Sequence, residues 1–510
     1  MTEAGSKKVS ALERFLGLFA EVKAGEGIAV VLLFLNIFLI LTAYYVLKVV
    51  REALTIGGVE VFGLPGDEIK AYLPAVMALL LVGIVPAYGA LASRYDRIAL
   101  IRRTTYVIVG ALVLFFLWGS ATGVGTAIGL SFYVFLGIIN VFLIAQFWSY
   151  ANDVYTEKQG KRLFAIIAIG QSLGAVVGPK IAGLGADYAF ALLAVSAGIF
   201  LGCLFIYIFI NRLMADVATN DDHAKKEADK PLEEGGGFAL VFRTRYLLYI
   251  ALMILCTNVV NTTGEYILSN AAKTKAEADV PVSAVIEDLY ERHNSDDEDV
   301  EEVPEAWAAW FDARTPEQVA TAIEADEWEL SGEMLQPVKD ARSPVIGRFY
   351  GDFFFYVNIA GLIIQMFFVS RIFKYFGVRA ALFVLPAIAF LGYGAIGIVG
   401  GLLVLRIAKT AENSTDYSLQ NTIKQALFLP TSREAKYKAK AAIDTFFVRF
   451  GDAASAGIVA VGLHVLSFTA TAFAFVNVGL CAIWVLLNIG IAKEHRRLAP
   501  DDDPKKSADS

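Results

Sequence analysis

Apolar runs of about 20 residues recur along the whole chain, and each is long enough to cross about 30 Å of hydrocarbon. Examples are GIAVVLLFLNIFLILTAYYVL at 27–47, YLPAVMALLLVGIVPAYGAL at 72–91 and AFVNVGLCAIWVLLNIGIA at 474–492. Within lipid every backbone N–H and C=O must be paired inside the protein, so only helices or a closed barrel can span it. A barrel would show short alternating segments of about ten residues. These runs do not alternate, so an all-α membrane protein is expected. One span of similar length breaks the pattern: LLVLRIAKTAENSTDYSLQNTIKQALFL at 402–429 carries Arg406, Lys409, Glu412, Asp416 and Lys424. Charge at the bilayer centre costs roughly 2.5–3.5 kcal/mol per residue. A span this polar is expected to line a polar interior walled by the others.

The composition agrees, with 56% hydrophobic residues and a mean hydropathy of +0.57. Cys203, Cys256 and Cys481 each sit in an apolar segment and read as small core hydrophobes. No disulfide framework or metal spacing appears. The first apolar run is too long for the core of a signal peptide and reads as a retained span. The net charge of −7 is uneven, because acid gathers in 271–345, which includes SDDEDVEEVPE. The other loops lean basic, an asymmetry that carries topology and not partner choice. No nucleic-acid partner is expected.

Approximate spans fall at 27–53, 68–92, 99–121, 126–154, 161–186, 188–212, 244–270, 346–372, 378–400, 402–429, 436–466 and 468–492. Residues 11–23 form a short amphipathic stretch ahead of them, expected along the membrane surface. Basic residues cluster after alternate spans: Arg94, Arg97, Arg102 and Arg103; Lys158, Lys161 and Arg162; Lys225, Lys226 and Lys230; Arg371, Lys374 and Arg379; Arg433, Lys436, Lys438 and Lys440. The positive-inside rule then places both termini in the cytoplasm, of a bacterial inner membrane on this reading.

The chain also repeats itself. YGALASRYDRIALIRR at 88–103 resembles FFVSRIFKYFGVR at 367–379, each closing the second span of a six-span half. The expected layout is an N-terminal half at 1–213, a linker at 214–240, a C-terminal half at 241–270 and 346–497, and a disordered tail at 498–510. The linker is charged and contains Pro231 and Gly235-Gly236-Gly237. Two parallel six-helix halves resemble the major facilitator architecture. The acidic stretch 271–345 interrupts the second half between spans seven and eight, outside the membrane by topology. Trp307, Trp310, Phe311 and Trp328 favour a small folded cap there.

The charged positions fall into a pattern. Glu412, Asp416, Gln420 and Lys424 recur every four residues, one slowly drifting stripe on an ideal helix. Span eleven carries Asp444, Arg449 and Asp452, and the Arg449 guanidinium suits either a phosphate or a carboxylate partner. Lys48, Arg51 and Glu52 lie near the outer end of span one, where snorkelling to the surface competes with an inward role. Asp153 lies near the cytoplasmic end of span four. Lys180 follows Pro179 in span five, beside a seam of Gly170, Gly174 and Gly178 suited to close helix approach. Glu265 and Asp352 sit towards the outer side, where they suit salt bridges between halves. Arg51, Lys180, Lys424 and Arg449 are the expected substrate-binding cations; Asp153, Glu265, Asp416 and Asp452 are the expected gating or coupling acids.

No enzymatic motif competes. GAVVGPK lacks the Lys-Ser/Thr of a nucleotide-hydrolysing loop, and HExxH, CxxC and a nucleophile elbow are absent. The expectation is a secondary transporter, not an enzyme, with no cofactor and no metal.

Two stretches narrow the family. FWSYANDVYTEKQGKRLF at 147–164 and YSLQNTIKQALFLPTSREAKYKAKAAID at 417–444 resemble the bacterial and plastid ATP/ADP translocase family. The resemblance implies exchange of ATP for ADP, or nucleotide import with protons, across the lipid bilayer. It carries the family's important span-one lysine onto Arg51 and its span-four acid near Asp153. Its span-seven glutamate falls on Glu265 and its span-ten lysine on Lys424. Arg449 and Gly451 match the family's Arg-x-Gly-Lys, but Asp452 stands where the lysine is expected. The resemblance therefore implies a transporter of an anionic metabolite, a nucleotide of the ATP/ADP type, working by alternating access. The alternative on the same fold is a proton-coupled transporter of a different solute, with Asp452 or Asp416 as the proton site.

Overall fold

In the computed structural model the apolar runs are helices. The structure describes residues 10–16, 22–92, 97–155, 157–215, 237–295, 302–325, 332–428 and 439–498, with isolated positions between these stretches. The calls at 214–240 and 498–510 lie largely outside the described residues. So does much of the 11–23 stretch, where α1 (Ala11–Leu16) is the described helix.

The first group of helices is α2 (Gly27–Gly58), α3 (Gly66–Ala92), α4 (Arg97–Thr122), α5 (Thr126–Val154), α6 (Glu157–Leu184) and α7 (Ala189–Ala215). A two-residue hairpin, β1 (Glu60–Val61) with β2 (Leu64–Pro65), turns α2 into α3. The second group is α8 (Gly237–Arg243) leading into α9 (Arg245–Asp279), then α10 (Val282–His293), α11 (Glu305–Asp312) and α12 (Pro316–Ala325). It continues with α13 (Gln336–Ile363), α14 (Val369–Ala381), α15 (Val384–Ile398), α16 (Leu402–Thr415) and α17 (Asn421–Leu427). It ends with α18 (Lys440–Ala442), α19 (Val448–His464) and α20 (Ala470–Leu498).

Twelve spans were expected. Among the described residues, eight helices are long and apolar enough to cross a membrane, or nine if the pair Arg371–Ala381 and Val384–Ile398, bent by 74°, is one span. The expected spans 68–92, 402–429 and 436–466 fall on helical segments outside that set. Segment 402–427 is too charged to qualify by composition, and it is not one regular helix. A π-turn over Asp416–Gln420 joins α16 to α17, and others at Ile364–Phe368 and Ile443–Phe447 precede α14 and α19. Each wide turn rotates the helix face and tends to occur at functional positions.

The glycine seam explains the tightest packing. A Cβ at Gly170, Gly174 or Gly178 would lie 2.6, 2.3 and 2.5 Å from the carbonyl oxygens of Phe34, Phe38 and Thr42. Only a bare backbone lets α6 lie that close along α2, which is how small residues bring membrane helices together. Cys203, Cys256 and Cys481 are buried and free, as small core residues are.

The two groups meet where α13 packs on α2 and α6, and where α9 and α19 pack on α3. Gly351 of α13 faces Gly183 of α6, with its virtual Cβ 2.6 Å from the Gly183 Cα. Between α9 and α13 the chain forms a separate helical cluster. Val285, Ile286, Leu289, Trp307, Phe311, Val319 and Val338 make its core, and Trp307 Nε1 donates to the Met334 carbonyl at 2.9 Å. The flanking helices run further than expected: α9 continues past 270 to Asp279, and α13 begins at Gln336 and not near 346.

Overpacking a tight contact of this kind costs typically 1–3 kcal/mol. Gly174→Leu is therefore expected to lower the thermal midpoint of the purified protein by a few degrees. Gly198→Leu, whose Cβ meets nothing within 4 Å, is expected to unfold as the parent does.

Candidate functional site

A helix buried among others tolerates a charge only when a partner or a polar cavity receives it. α2 is apolar for most of its length and then presents Lys48, Arg51 and Glu52 in one turn. These side chains do not snorkel to the surface, as the outer-end reading allowed. They face inward into a cavity of about 180 Å³ between the two groups of helices. Its lining includes Lys48, Arg51, Glu52, Lys70, Tyr133, Asn261, Glu265, Phe354 and Tyr417. α2, α3 and α5 supply one side; α9, α13 and the π-turn after α16 supply the other.

Three cations meet two carboxylates here. Glu52 is 1% exposed and holds both Arg51, by a short ion pair, and Lys70 at 2.8 Å. Arg51 also lies over the Tyr133 ring, 4.7 Å from its centroid. Lys70 donates to the Tyr350 hydroxyl at 3.0 Å and lies 3.9 Å from Glu265 across the group boundary. On its other side Glu265 is 3.8 Å from Lys409 and accepts from the Asn413 amide at 3.0 Å. Lys409 is fully buried, 2.9 Å from Glu412 and 3.2 Å from the Asn261 side-chain oxygen. The Tyr393 hydroxyl donates to Glu412 at 2.8 Å. Gly264 makes room for this hydroxyl, since a Cβ there would lie 1.8 Å from it. The result is a chain of alternating charge, Glu52–Lys70–Glu265–Lys409–Glu412, running from one group into the other. Each buried charge in it has a counter-charge, as a low-dielectric setting requires.

Of the expected substrate-binding cations, Arg51 lines this cavity and the other three do not. Lys180 pairs with Asp352 at 3.2 Å, half-exposed, with the two residues on opposite groups. Lys424 pairs with Asp416 at 3.6 Å, and Arg449 pairs with Asp452 at 3.3 Å. Asp452 also accepts from Thr262 at 3.2 Å. Among the expected acids, Glu265 lines the cavity. Asp153 lies on α5, outside the residues whose side chains are described. The stripe through Glu412, Asp416, Gln420 and Lys424 fails for a geometric reason. The π-turn inserts extra rotation at Asp416–Gln420, so Gln420 is buried against Met253 while Glu412 faces Lys409. From the polar span it is Tyr417 that reaches the cavity.

Polar contacts between the groups gather at the end that carries the helical cluster. Arg348 meets Asp187 at 2.7 Å, Lys273 meets Asp67 at 3.4 Å and His464 meets Glu68 at 2.6 Å. Asn270 donates to Asp67 at 3.0 Å, and Asp340 accepts from the Val124 amide at 2.8 Å. These contacts join the two groups at that end.

The comparisons with known proteins agree with the motifs. The model of the TLC ATP/ADP transporter family matches residues 130–275 and 393–495, just under half of the chain. The ADP,ATP carrier protein 1 of Chlamydia muridarum is 22% identical over 68% of this chain and 60% of its own length. Its namesake in Chlamydia trachomatis is 21% identical over 69% of this chain and 58% of its own. The chain thus spans about 60% of the length of these curated relatives. Among solved structures, a bacterial homologue of the iron transporter ferroportin in an inward-facing state aligns with TM-score 0.55 and 10% identity, covering 91% of this chain and 98% of that one. A nucleoside transporter mutant aligns at 0.54 and 10% identity, covering 91% and 99%. A peptide transporter in complex with sulfate aligns at 0.52 and 16% identity, covering 96% and 99%. The fold is that of the major facilitator transporters. The resemblance to the ATP/ADP translocase family is borne out, and that family is one of transporters and not of enzymes.

Removing one member of a buried ion pair costs about 3–5 kcal/mol, because the other charge is left alone. Lys409→Met is expected to destabilise the protein by that order. The double change Lys409→Met with Glu412→Leu is expected to recover most of the loss, as read by chemical unfolding in detergent.

Proposed function

We propose that this chain is a twelve-span secondary transporter that carries an anionic metabolite, a nucleotide of the ATP/ADP type, by exchange. The observation that carries the reading is the cavity between the two groups, where, among the described residues, Lys48, Arg51 and Lys70 converge against Glu52 and Glu265. The lining has one more cation than acid, so it favours an anion. Arg51 and Lys70 share Glu52. A phosphate entering the cavity competes with Glu52 and Glu265 for these cations through charge-assisted hydrogen bonds. It thereby loosens the links that hold the two groups together.

Exchange follows from the same competition. Without an anion the acids keep the cations and hold the groups in this arrangement; with one the contact across the boundary is weakened and the groups can rock. The cavity of about 180 Å³ is smaller than the roughly 300–1,000 Å³ of pockets that hold drug-sized ligands. A nucleotide therefore needs the groups to part before it is seated. The family resemblance and the names of the Chlamydia relatives support the nucleotide class. Asp416 and Asp452 each hold a cation, Lys424 and Arg449, which favours exchange over the proton-coupled alternative. The basic loops support a membrane orientation with both termini in the cytoplasm, and a bacterial inner membrane fits this reading.

The test is reconstitution into liposomes loaded with ADP, followed by uptake of labelled ATP with and without a pH gradient. Uptake that requires internal ADP is expected. Uptake driven by the pH gradient alone would favour the proton-coupled reading, and no uptake of any nucleotide would overturn the proposal. One charge-assisted hydrogen bond is worth about 1.5–3 kcal/mol, so Lys48→Gln is expected to raise the KM for transport about tenfold or more. Lys424→Gln is expected to raise it less.

A further inference from the structure

Lys48 differs from the other cavity cations. Arg51 and Lys70 are ion-paired, but among the described residues no carboxylate lies within 4.0 Å of Lys48 Nζ. It rests on aromatic rings: 4.0 Å from the Phe354 centroid, 5.3 Å from Tyr45 and 6.0 Å from Tyr417. Tyr45 meets Phe354 edge to face, centroids 6.4 Å apart at 75°. Phe354 and Tyr417 line the cavity and come from the second group; Lys48 and Tyr45 come from the first. The ammonium therefore covers a ring face that points at the space a ligand would enter.

We infer that Phe354 and Tyr417 form a stacking subsite for a heteroaromatic ring, uncovered when Lys48 leaves it to bind the phosphate of the same ligand. The inference rests on the anion-transport reading above and names which part of the substrate each group of helices reads. The exchange of partners is favourable by magnitude. A cation–π contact of this kind is worth about 0.5–2 kcal/mol. A hydrogen bond from an ammonium to a phosphate oxygen is worth about 1.5–3 kcal/mol. The phosphate thus draws Lys48 off the Phe354 face, and the freed face is apolar and flat. A ring attached to that phosphate fills it by stacking, which tolerates any base because every base has a π-face. The ligand then touches the first group through its phosphate and the second through its ring. A phosphate without a ring would move Lys48 and leave Phe354 uncovered, so the site distinguishes nucleotides from bare phosphates.

The experiment uses the full chain in liposomes, with ADP, ribose 5-phosphate and pyrophosphate each competing against labelled ATP uptake. The parent protein is expected to prefer ADP to ribose 5-phosphate at least tenfold. Phe354→Leu and Tyr417→Leu are each expected to shrink that preference about fivefold or more, while Phe354→Trp keeps it. Lys48→Gln is expected to weaken all three competitors together. If Phe354→Leu and Tyr417→Leu both leave the ratio of ADP to ribose 5-phosphate unchanged, the stacking subsite is overturned and anion transport stands. If the parent carries nothing and none of the three competes, the transport reading falls and the subsite with it. Phe354 is nearly buried and Tyr417 is 41% exposed, so the tyrosine variant keeps the test sound if the phenylalanine variant folds poorly.

Discussion

Glu265 sits between a lysine from each side of the molecule, Lys70 at 3.9 Å and Lys409 at 3.8 Å. Much of the interior follows from the need to keep that carboxylate compensated. A buried carboxylate without a counter-charge carries a penalty of several kcal/mol. Two lysines can meet it only if α3 and α16 both approach α9 at the same level. Tyr393 and Asn261 then satisfy the remaining hydrogen-bonding capacity around Lys409 and Glu412, and Gly264 clears the space they need. The groups are thus held together at the cavity by shared charge, whereas Gly183 and Gly351 hold them by close backbone contact. The first kind of contact is electrostatic and the second is steric.

The sequence showed some of this directly and hid the rest for physical reasons. The seam of Gly170, Gly174 and Gly178 was legible because a four-residue repeat of glycine has one structural use in lipid. Arg51 and Glu265 were legible because isolated charges in apolar runs are rare enough to stand out. Lys70 was not, because it follows Asp67 and Glu68 at the start of a span and looks like a solvated helix end. Its role depends on α3 starting deep against α2, which the short β1–β2 turn imposes. Lys424 lies on a four-residue stripe that holds only for an ideal helix. A single π-turn moved Tyr417 into the cavity instead. The placement of such turns depends on what packs around the helix, and spacing alone does not reveal it.

Span count and sidedness show a similar division. Hydropathy identifies helices that meet lipid on most sides, and it misses those whose exposed face is a cavity. The segment at 402–427 is charged and places Tyr417 on the cavity.

The helical cluster between α9 and α13 has its own core, and both helices that flank it belong to the second group. It joins that group through Val280 and Pro281 after α9 and through the Gly332–Leu335 turn before α13. Among the described residues, Asp340 and Gln336 at the start of α13 meet the backbone of Val124 in the first group. A ligand that held the start of α13 against Val124 would tie the second group to the first at this end.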